Sequence, residues 1–136
     1  MKKWLAASLT ACLLFVGCAG TLRDRVRTTA LTTGEAALTL VETERQVYAA
    51  GIPGYTQAKH LDAVDKLIVL VTAVRAFERA AAAWPAEMPT MPKDVWQAQA
   101  DALAAIAAVQ HIIEGVPGTA KLAENLNLVK FKLGGS

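Results

Sequence analysis

Two histidines and their acidic neighbours are the side chains of this 136-residue chain that suit metal binding. His111 and Glu114 have i, i+3 spacing, so on a helix both would reach one ion from the same face. A zinc site takes three or four ligands, and no similar pair is placed to complete this one. His60 with Asp62 or Asp65 is a weaker pairing still. The sequence therefore predicts no metal site.

Residues typical of catalysis are also missing from the pattern. Glu42 and Glu44 lie two residues apart, which on a helix points them away from each other. The sequence has no glycine-rich phosphate loop, no nucleophile elbow and no Cys–His arrangement. We therefore expect a protein that is not an enzyme.

Cys18 ends an apolar run near the start of the chain, in the stretch LLFVGCAG over residues 13–20. Met1, Lys2 and Lys3 form a short basic start, and residues 4–16 are apolar or small apart from one serine and one threonine. The run is shorter than the ~20 residues that span a bilayer. A basic start, an apolar run and small residues in this order predict an export signal over residues 1–17.

Residues 14–18, LFVGC, resemble the lipobox of bacterial lipoproteins, although Phe15 stands where the family usually has Leu. The resemblance implies that cleavage follows Gly17, that the Cys18 thiol receives a diacylglycerol and that the new amine is acylated. Residues 9–12, LTAC, fit the lipobox better, but cleavage there would leave an apolar run of residues 4–11 only, at the short limit of such signals. Ala19 follows the cysteine. The family reserves Asp there for inner-membrane retention, so the resemblance favours the outer membrane.

Removal of residues 1–17 changes the charge and the cysteine count. It takes away Lys2, Lys3 and Cys12, so 12 basic residues face 12 acidic ones and the mature chain is formally neutral. A neutral chain argues against nucleic acid as a partner. The remaining cysteine is the lipidated one, so we expect no disulfide and no cofactor beyond the lipid.

Residues 18–31 are predicted to form a tether between the lipid and the folded domain. Arg23, Arg25 and Arg27 cluster there with only Asp24 opposing them. Either they contact anionic headgroups as a membrane-proximal basic segment, or they are solvated charges that happen to cluster.

Residues 32–133 are predicted to form an all-α domain, a small antiparallel bundle of three to four helices. Thr32 and Glu35 have capping-box spacing at a helix start, and Gly51 is expected to end that helix. Thr56 begins a second helix that ends before Pro85. The expected inward face of the first helix is Leu38, Val41 and Tyr48, with Ala37 and Val47 beside them. In the second helix the expected stripe is Leu61, Val64, Ile68, Val71 and Val74, widened by Leu67, Leu70 and Phe77. The expected inward faces of the last two helices are Trp96, Leu103, Ile106 and Ile113 in the third and Leu122, Leu126, Val129 and Leu133 in the fourth.

A short sequence repeat lies between the helices. GIPG at residues 51–54 closes the first helix and GVPG at residues 115–118 closes the third, each followed shortly by Thr, Ala, Lys and Leu. The repeat predicts two helix–turn–helix units, which suits an up-and-down bundle.

The loop PAEMPTMPK, residues 85–93, is a candidate binding surface. Met88 and Met91 lie between Trp84 and Trp96, and Met is adaptable at recognition surfaces. The alternative, which we favour, is that this loop only folds over the open end of the bundle.

We therefore expect an envelope lipoprotein that acts as a binding or structural module on the periplasmic side, held by membrane lipid and in contact with an envelope protein or with copies of itself. Two alternatives are a carrier of a small apolar ligand, bound near Trp84 and Trp96, and a lysis or superinfection-exclusion lipoprotein of a phage. The chain resembles small Ala-rich helical lipoproteins of phages and prophages in general character, without a shared motif.

Overall fold

The computed structural model describes residues 21–134, and four α-helices account for most of them. These are α1 (Leu22–Ala49), α2 (Gln57–Ala83), α3 (Lys93–Ile113) and α4 (Ala120–Lys132). No strand occurs between residues 21 and 134. The prediction of an all-α bundle is confirmed, and the fourth helix is formed.

The helices are arranged as a ring in which each contacts the next. The α2–α3 interface is the most extensive, α4 returns to contact α1, and α3 and α4 have the smallest interface. Short connections make neighbouring helices antiparallel. The largest side chains that are almost fully buried are Trp84, Phe77, Leu40, Leu67, Leu70 and Ile106.

The cap of the first helix lies eleven residues earlier than the sequence predicts, so residues 22–31 belong to the bundle and are not a tether. Thr21 caps α1, its hydroxyl accepting a hydrogen bond from the Asp24 amide at 3.1 Å. Ala30 is buried against the core, and burial of this extra length favours helix over tether. The capping box at Thr32 and Glu35 is therefore not used, and the helix passes through Gly34.

The inward faces of α1 and α2 agree only in part with the predicted ones. Leu38 and Val41 are exposed, and the buried positions of α1 are Ala30, Thr33, Ala37, Leu40, Thr43, Glu44 and Val47. In α2, Leu61 and Ile68 are 57% and 59% exposed. Val74 and the three residues predicted to widen the stripe are buried as expected, and the full set of buried positions in α2 is Ala63, Leu67, Leu70, Ala73, Val74, Phe77 and Ala81.

The physical reason is that α2 has apolar residues on two sides. The side with Phe77 alternates large residues with Ala63, Ala73 and Ala81, which allow α1 and α3 to approach closely. The side with Ile68 lies about 100° away, one residue along the helix, and has Val64 and Val71 around Ile68 where the other side has alanines. Hydrophobicity alone therefore does not show which of these two sides of α2 faces the core.

The predicted inward residues are only partly correct in α3 and fully correct in α4. Ile106 and Ile113 of α3 are buried as predicted, whereas Trp96 is 46% exposed and Val95 takes the inward position beside it. All four residues predicted inward in the last segment, Leu122, Leu126, Val129 and Leu133, are buried.

The two repeated turns lie side by side at one end of the bundle, which we call the far end. A Cβ on Gly118 would lie 3.0 Å from Ile52 of the α1–α2 turn, and one on Gly54 would lie 3.9 Å from Val116 of the α3–α4 turn. Because Ile52 corresponds to Val116 and Gly54 to Gly118, this packing is reciprocal. The repeat therefore forms the contact between the two hairpins.

Candidate functional site

An exposed apolar surface lies along α1 and α2. We call it the apolar face; it consists of Leu31, Leu38, Val41, Leu61, Val64, Ile68 and Val71. Leu31 is 69% exposed, and Leu38 and Ile68 are both more than half exposed. Apolar residues grouped in this way on a folded domain mark interaction sites more often than single exposed residues do.

A groove between the two helices runs along this face. Its volume is about 330 Å³, and its lining includes Leu38, Val41, Val64 and Ile68. Arg75 lies at one border, and a second, similar groove continues past it to Leu31. The two helices thus offer a shallow apolar channel with charged borders.

Glu44 lies at the edge of this groove and is the centre of a buried polar cluster. The residue is only 2% exposed. The Tyr55 hydroxyl donates a hydrogen bond to its Oε1 at 2.9 Å, and Nδ1 of His60 bonds the same oxygen. The Tyr48 ring stacks on His60 with 3.8 Å between centroids.

The cluster joins α1, the α1–α2 turn and the start of α2. Burial of Tyr55, the hydrogen bond to Glu44 and the nearby carboxyl charge raise the pKa of the Tyr55 phenol above its ordinary value. No buried side-chain polar atom among the described residues lacks a hydrogen-bond partner. Such a satisfied network fixes one arrangement of the helix ends.

Cys18 and Gly17, the predicted lipidation and cleavage residues, lie outside the described residues. Of the three predicted membrane-proximal arginines, Arg23 and Arg27 pack across to the end of α2. The Arg23 Nε donates to the Trp84 carbonyl at 2.7 Å, and the Arg27 Nε to that of Ala81 at 2.9 Å. Both satisfy carbonyls at the helix end, so a purely solvated role for these two is wrong. Arg25 is exposed.

The four residues of the predicted loop surface are not presented together. Trp84 is 1% exposed and its indole Nε1 donates to the Met88 carbonyl at 2.9 Å, so it belongs to the core. Met91 packs partly against that core, while Met88 and Trp96 are exposed. Trp84 therefore cannot contribute a ring to an external surface.

His111 and Glu114 do lie together, with 3.4 Å between Nδ1 and Oε2, but both side chains are highly exposed. They border an open groove of about 880 Å³ between α3 and α4. Within residues 21–134 no group of three or more His, Cys, Asp or Glu side chains could hold a metal ion.

Sequence reasoning missed the Glu44 cluster. A usable indication was present: Ala37, Leu40, Glu44 and Val47 continue one helical face, which places the carboxyl group among core positions. Tyr55 and His60, which contact Glu44, lie in the α1–α2 turn and at the start of α2. Helical spacing within α1 cannot predict contacts to these later segments.

None of the helices in the described part of the chain is long and apolar enough to cross a membrane. No family model, curated protein or solved structure matches this chain.

Proposed function

We propose that this chain is a lipid-anchored envelope protein whose helical bundle is a binding module on the periplasmic side, most consistent with the outer membrane. The lipobox-like segment ending at Cys18 supports the anchor. The observation that carries the binding role is the apolar face, where five large apolar residues of α1 and α2 are exposed and two more, Val64 and Val71, are partly exposed. The proposal assigns the protein no catalytic step.

The shape of the apolar face suggests what it binds. Two antiparallel helices form a groove, and such grooves accept the apolar side of an amphipathic helix. The borders carry charges of both signs, including Glu35, Arg75 and Glu78. These favour a partner helix with mixed charges beside its apolar stripe, supplied by an envelope protein or by a second copy.

Metabolic labelling with palmitate tests the anchor. Label should enter the wild type and Cys12→Ser, and should be absent from Cys18→Ser. Label lost in Cys12→Ser and kept in Cys18→Ser would overturn the cleavage assignment.

Photocross-linking in intact cells tests whether the apolar face binds another protein. A photoreactive residue at Ile68 should give a discrete adduct, whose mass separates a second copy from another protein. The matched control is Val69, which is 51% exposed on the same helix and lies about 100° around the helix axis from Ile68. Equal adducts from both positions, or none from Ile68, would contradict a binding role for this face.

A second candidate is the carrier of a small apolar ligand, because the groove volume of about 330 Å³ lies at the lower end of ligand sites. Glu44 would supply the one buried polar group beside it. Mass spectrometry of the purified protein would then detect a bound lipid or metabolite, and Val64→Phe, which fills the groove, should displace it.

A further inference from the structure

The exposed side of α2 has its charges sorted by sign along the helix. Two acidic residues, Asp62 and Asp65, precede Ile68, and two basic residues, Arg75 and Arg79, follow it. All four charged side chains are exposed. Among residues 21–134, none of the four has an oppositely charged side chain within 4 Å. The bundle itself therefore supplies no ion-pair partner for these charges.

This sorting is unfavourable within a single helix. The two aspartates are three residues apart and the two arginines are four apart, so charges of the same sign are neighbours on the helix surface. Glu78 is the acidic residue nearest in sequence to the arginines, but its carboxylate lies over Gly34 of α1, where the absence of a Cβ leaves room for it. The charge pattern thus does not stabilise α2 alone.

A second copy of α2 that runs in the opposite direction would complement the pattern. Asp65 and Arg75 lie five residues before and after residue 70, and Asp62 and Arg79 lie eight and nine residues before and after it. In antiparallel helices packed about this level, Asp65 would lie level with Arg75 of the second copy, and Asp62 with its Arg79. Each pairing would occur twice. Parallel helices in register would instead bring like charges together.

Apolar side chains occupy the centre of the same pattern. Ile68 and Val71 line the groove and lie between the acidic and the basic pair. Ile68 is 59% exposed, and Leu38 of α1, across the groove, is 56% exposed. A two-fold interface needs one patch that complements itself when it is reversed. This patch meets that condition, because it has an apolar centre and opposite charges at its two ends.

We propose that the apolar face binds a second copy of this chain across a two-fold axis at the level of residue 70, with the two α2 helices antiparallel and Asp65 of each copy paired with Arg75 of the other. Complementary charges set the direction and register of the two helices, and burial of the apolar centre supplies the favourable free energy. The inference rests on the binding role of the apolar face in the proposed function and names its partner.

The symmetry restricts how a lipid-anchored dimer lies on a membrane. The predicted anchor, Cys18, precedes the cap of α1 by three residues. Two equivalent anchors in one leaflet require the two-fold axis to be normal to the membrane, and this axis is perpendicular to α2. Both bundles therefore lie along the membrane surface, with their anchors at opposite ends of the dimer. Confinement to one surface raises the effective concentration of the copies, so a pairing that is weak in dilute solution suffices.

Charge reversal tests this pairing in intact cells that make the full-length chain with two different affinity tags. A photoreactive residue at Ile68 should give an adduct that carries both tags. Asp65→Arg or Arg75→Asp, present in both tagged copies, should each lower the yield of that adduct by about tenfold or more, because each places like charges opposite each other twice. The double variant Asp65→Arg/Arg75→Asp should restore the yield.

Expression of the two single variants together is a second test of the same contacts. Asp65→Arg on one tag and Arg75→Asp on the other should form the adduct with each other, although neither forms it with itself, because both pairings then join opposite charges. The controls Asp101→Arg and Lys121→Asp reverse exposed charges on α3 and α4 and should keep the wild-type yield.

Three outcomes would overturn the proposal, and they separate it from the proposed function. A two-tag adduct that neither reversal lowers, or that neither the double variant nor the mixed pair restores, would refute the antiparallel pairing. An adduct between Ile68 and a different protein, without the two-tag adduct, would refute the second copy and leave the binding role of the apolar face unaffected. No adduct of any kind from Ile68 would refute both.

Discussion

The α1–α2 turn and the α3–α4 turn share a backbone and differ in what lies beneath them. Gly51 and Gly115 have φ values of 66° and 72°, and Gly54 and Gly118 have 87° and 88°. The residue that follows is buried in both turns, Tyr55 in one and Thr119 in the other. The four-residue motif therefore sets the same chain reversal twice.

The buried residue after each turn has a different partner. The Tyr55 hydroxyl bonds Glu44 across the hairpin, whereas the Thr119 hydroxyl donates to the Val116 carbonyl of its own turn at 2.7 Å. Ala108 of α3 stands 64 residues after Glu44, at the matching place in the second hairpin. The α3–α4 interface is small and has an open groove beside the turn. The turn fixes the reversal, and the side chains below it fix how closely the helices pack.

Glu44→Ala, which makes the first hairpin resemble the second, should have the largest effect. It removes the acceptor of Tyr55 and the partner of His60 and leaves a cavity, so the free energy of unfolding should fall by about 3–5 kcal/mol. Urea unfolding measures this. The control Glu42→Ala, at an exposed position two residues earlier, should leave the urea midpoint nearly unchanged. Similar losses in both variants would show that the cluster does not lock the hairpin.

Gly118→Ala should destabilise less than this, but more than Gly115→Ala in the same turn. Both positions have positive φ, which costs a residue with a Cβ about 1–2 kcal/mol. At Gly118 the Cβ would also meet Ile52 at 3.0 Å, whereas at Gly115 it would meet nothing within 4 Å. We expect a loss of about 2–4 kcal/mol against about 1–2 kcal/mol. Equal losses would mean that the two turns do not interlock.

Tyr55→Phe should cost about 1–2 kcal/mol at neutral pH, because Glu44 loses one hydrogen-bond donor. The pKa of Tyr55 is raised in the folded state, mainly by burial, so the unfolded chain releases this proton first. The contribution of Tyr55 is therefore complete below about pH 10 and is lost as pH rises above it.

Urea midpoints across the alkaline range measure this dependence. The wild type should lose stability above about pH 10 more steeply than Tyr55→Phe, because the variant lacks the linked proton. Thr119→Ala, the matching change in the other turn, should lose stability above about pH 10 as steeply as the wild type does. If Tyr55→Phe loses stability with rising pH as steeply as the wild type, the raised pKa of the Tyr55 phenol, and so its burial, would be contradicted.

The turns also show which parts of the fold could be predicted from sequence. Gly followed by Pro after a helix has a local physical cause, so Gly51 as a helix end and Thr56 as a cap were correctly predicted. The inward face of α4 was equally clear, because Leu122, Leu126, Val129 and Leu133 follow helical spacing, whereas Leu128 and Phe131 lie off this stripe and are exposed.

Other features depend on contacts between distant segments. The start of α1 follows from burial of Ala30 and from bonds of Arg23 and Arg27 to carbonyls more than 50 residues away. The Glu44 cluster draws on two helices and a turn.

Ile68→Ala should have the smallest effect, and it tests whether position or residue type decides stability. Ile68 and Leu70 are both large, apolar and central in α2, but Ile68 is 59% exposed and Leu70 is fully buried. Full burial of such a side chain contributes about 1.5–3 kcal/mol, so Ile68→Ala should lower the free energy of unfolding by less than about 1 kcal/mol. Leu70→Ala, with its added cavity, should lower it by about 2–5 kcal/mol. If Ile68→Ala instead costs as much as Leu70→Ala, and the cost grows with protein concentration, the apolar face is covered by a second copy in solution. A large cost independent of concentration would mean that α2 is rotated and that Ile68 packs in the core.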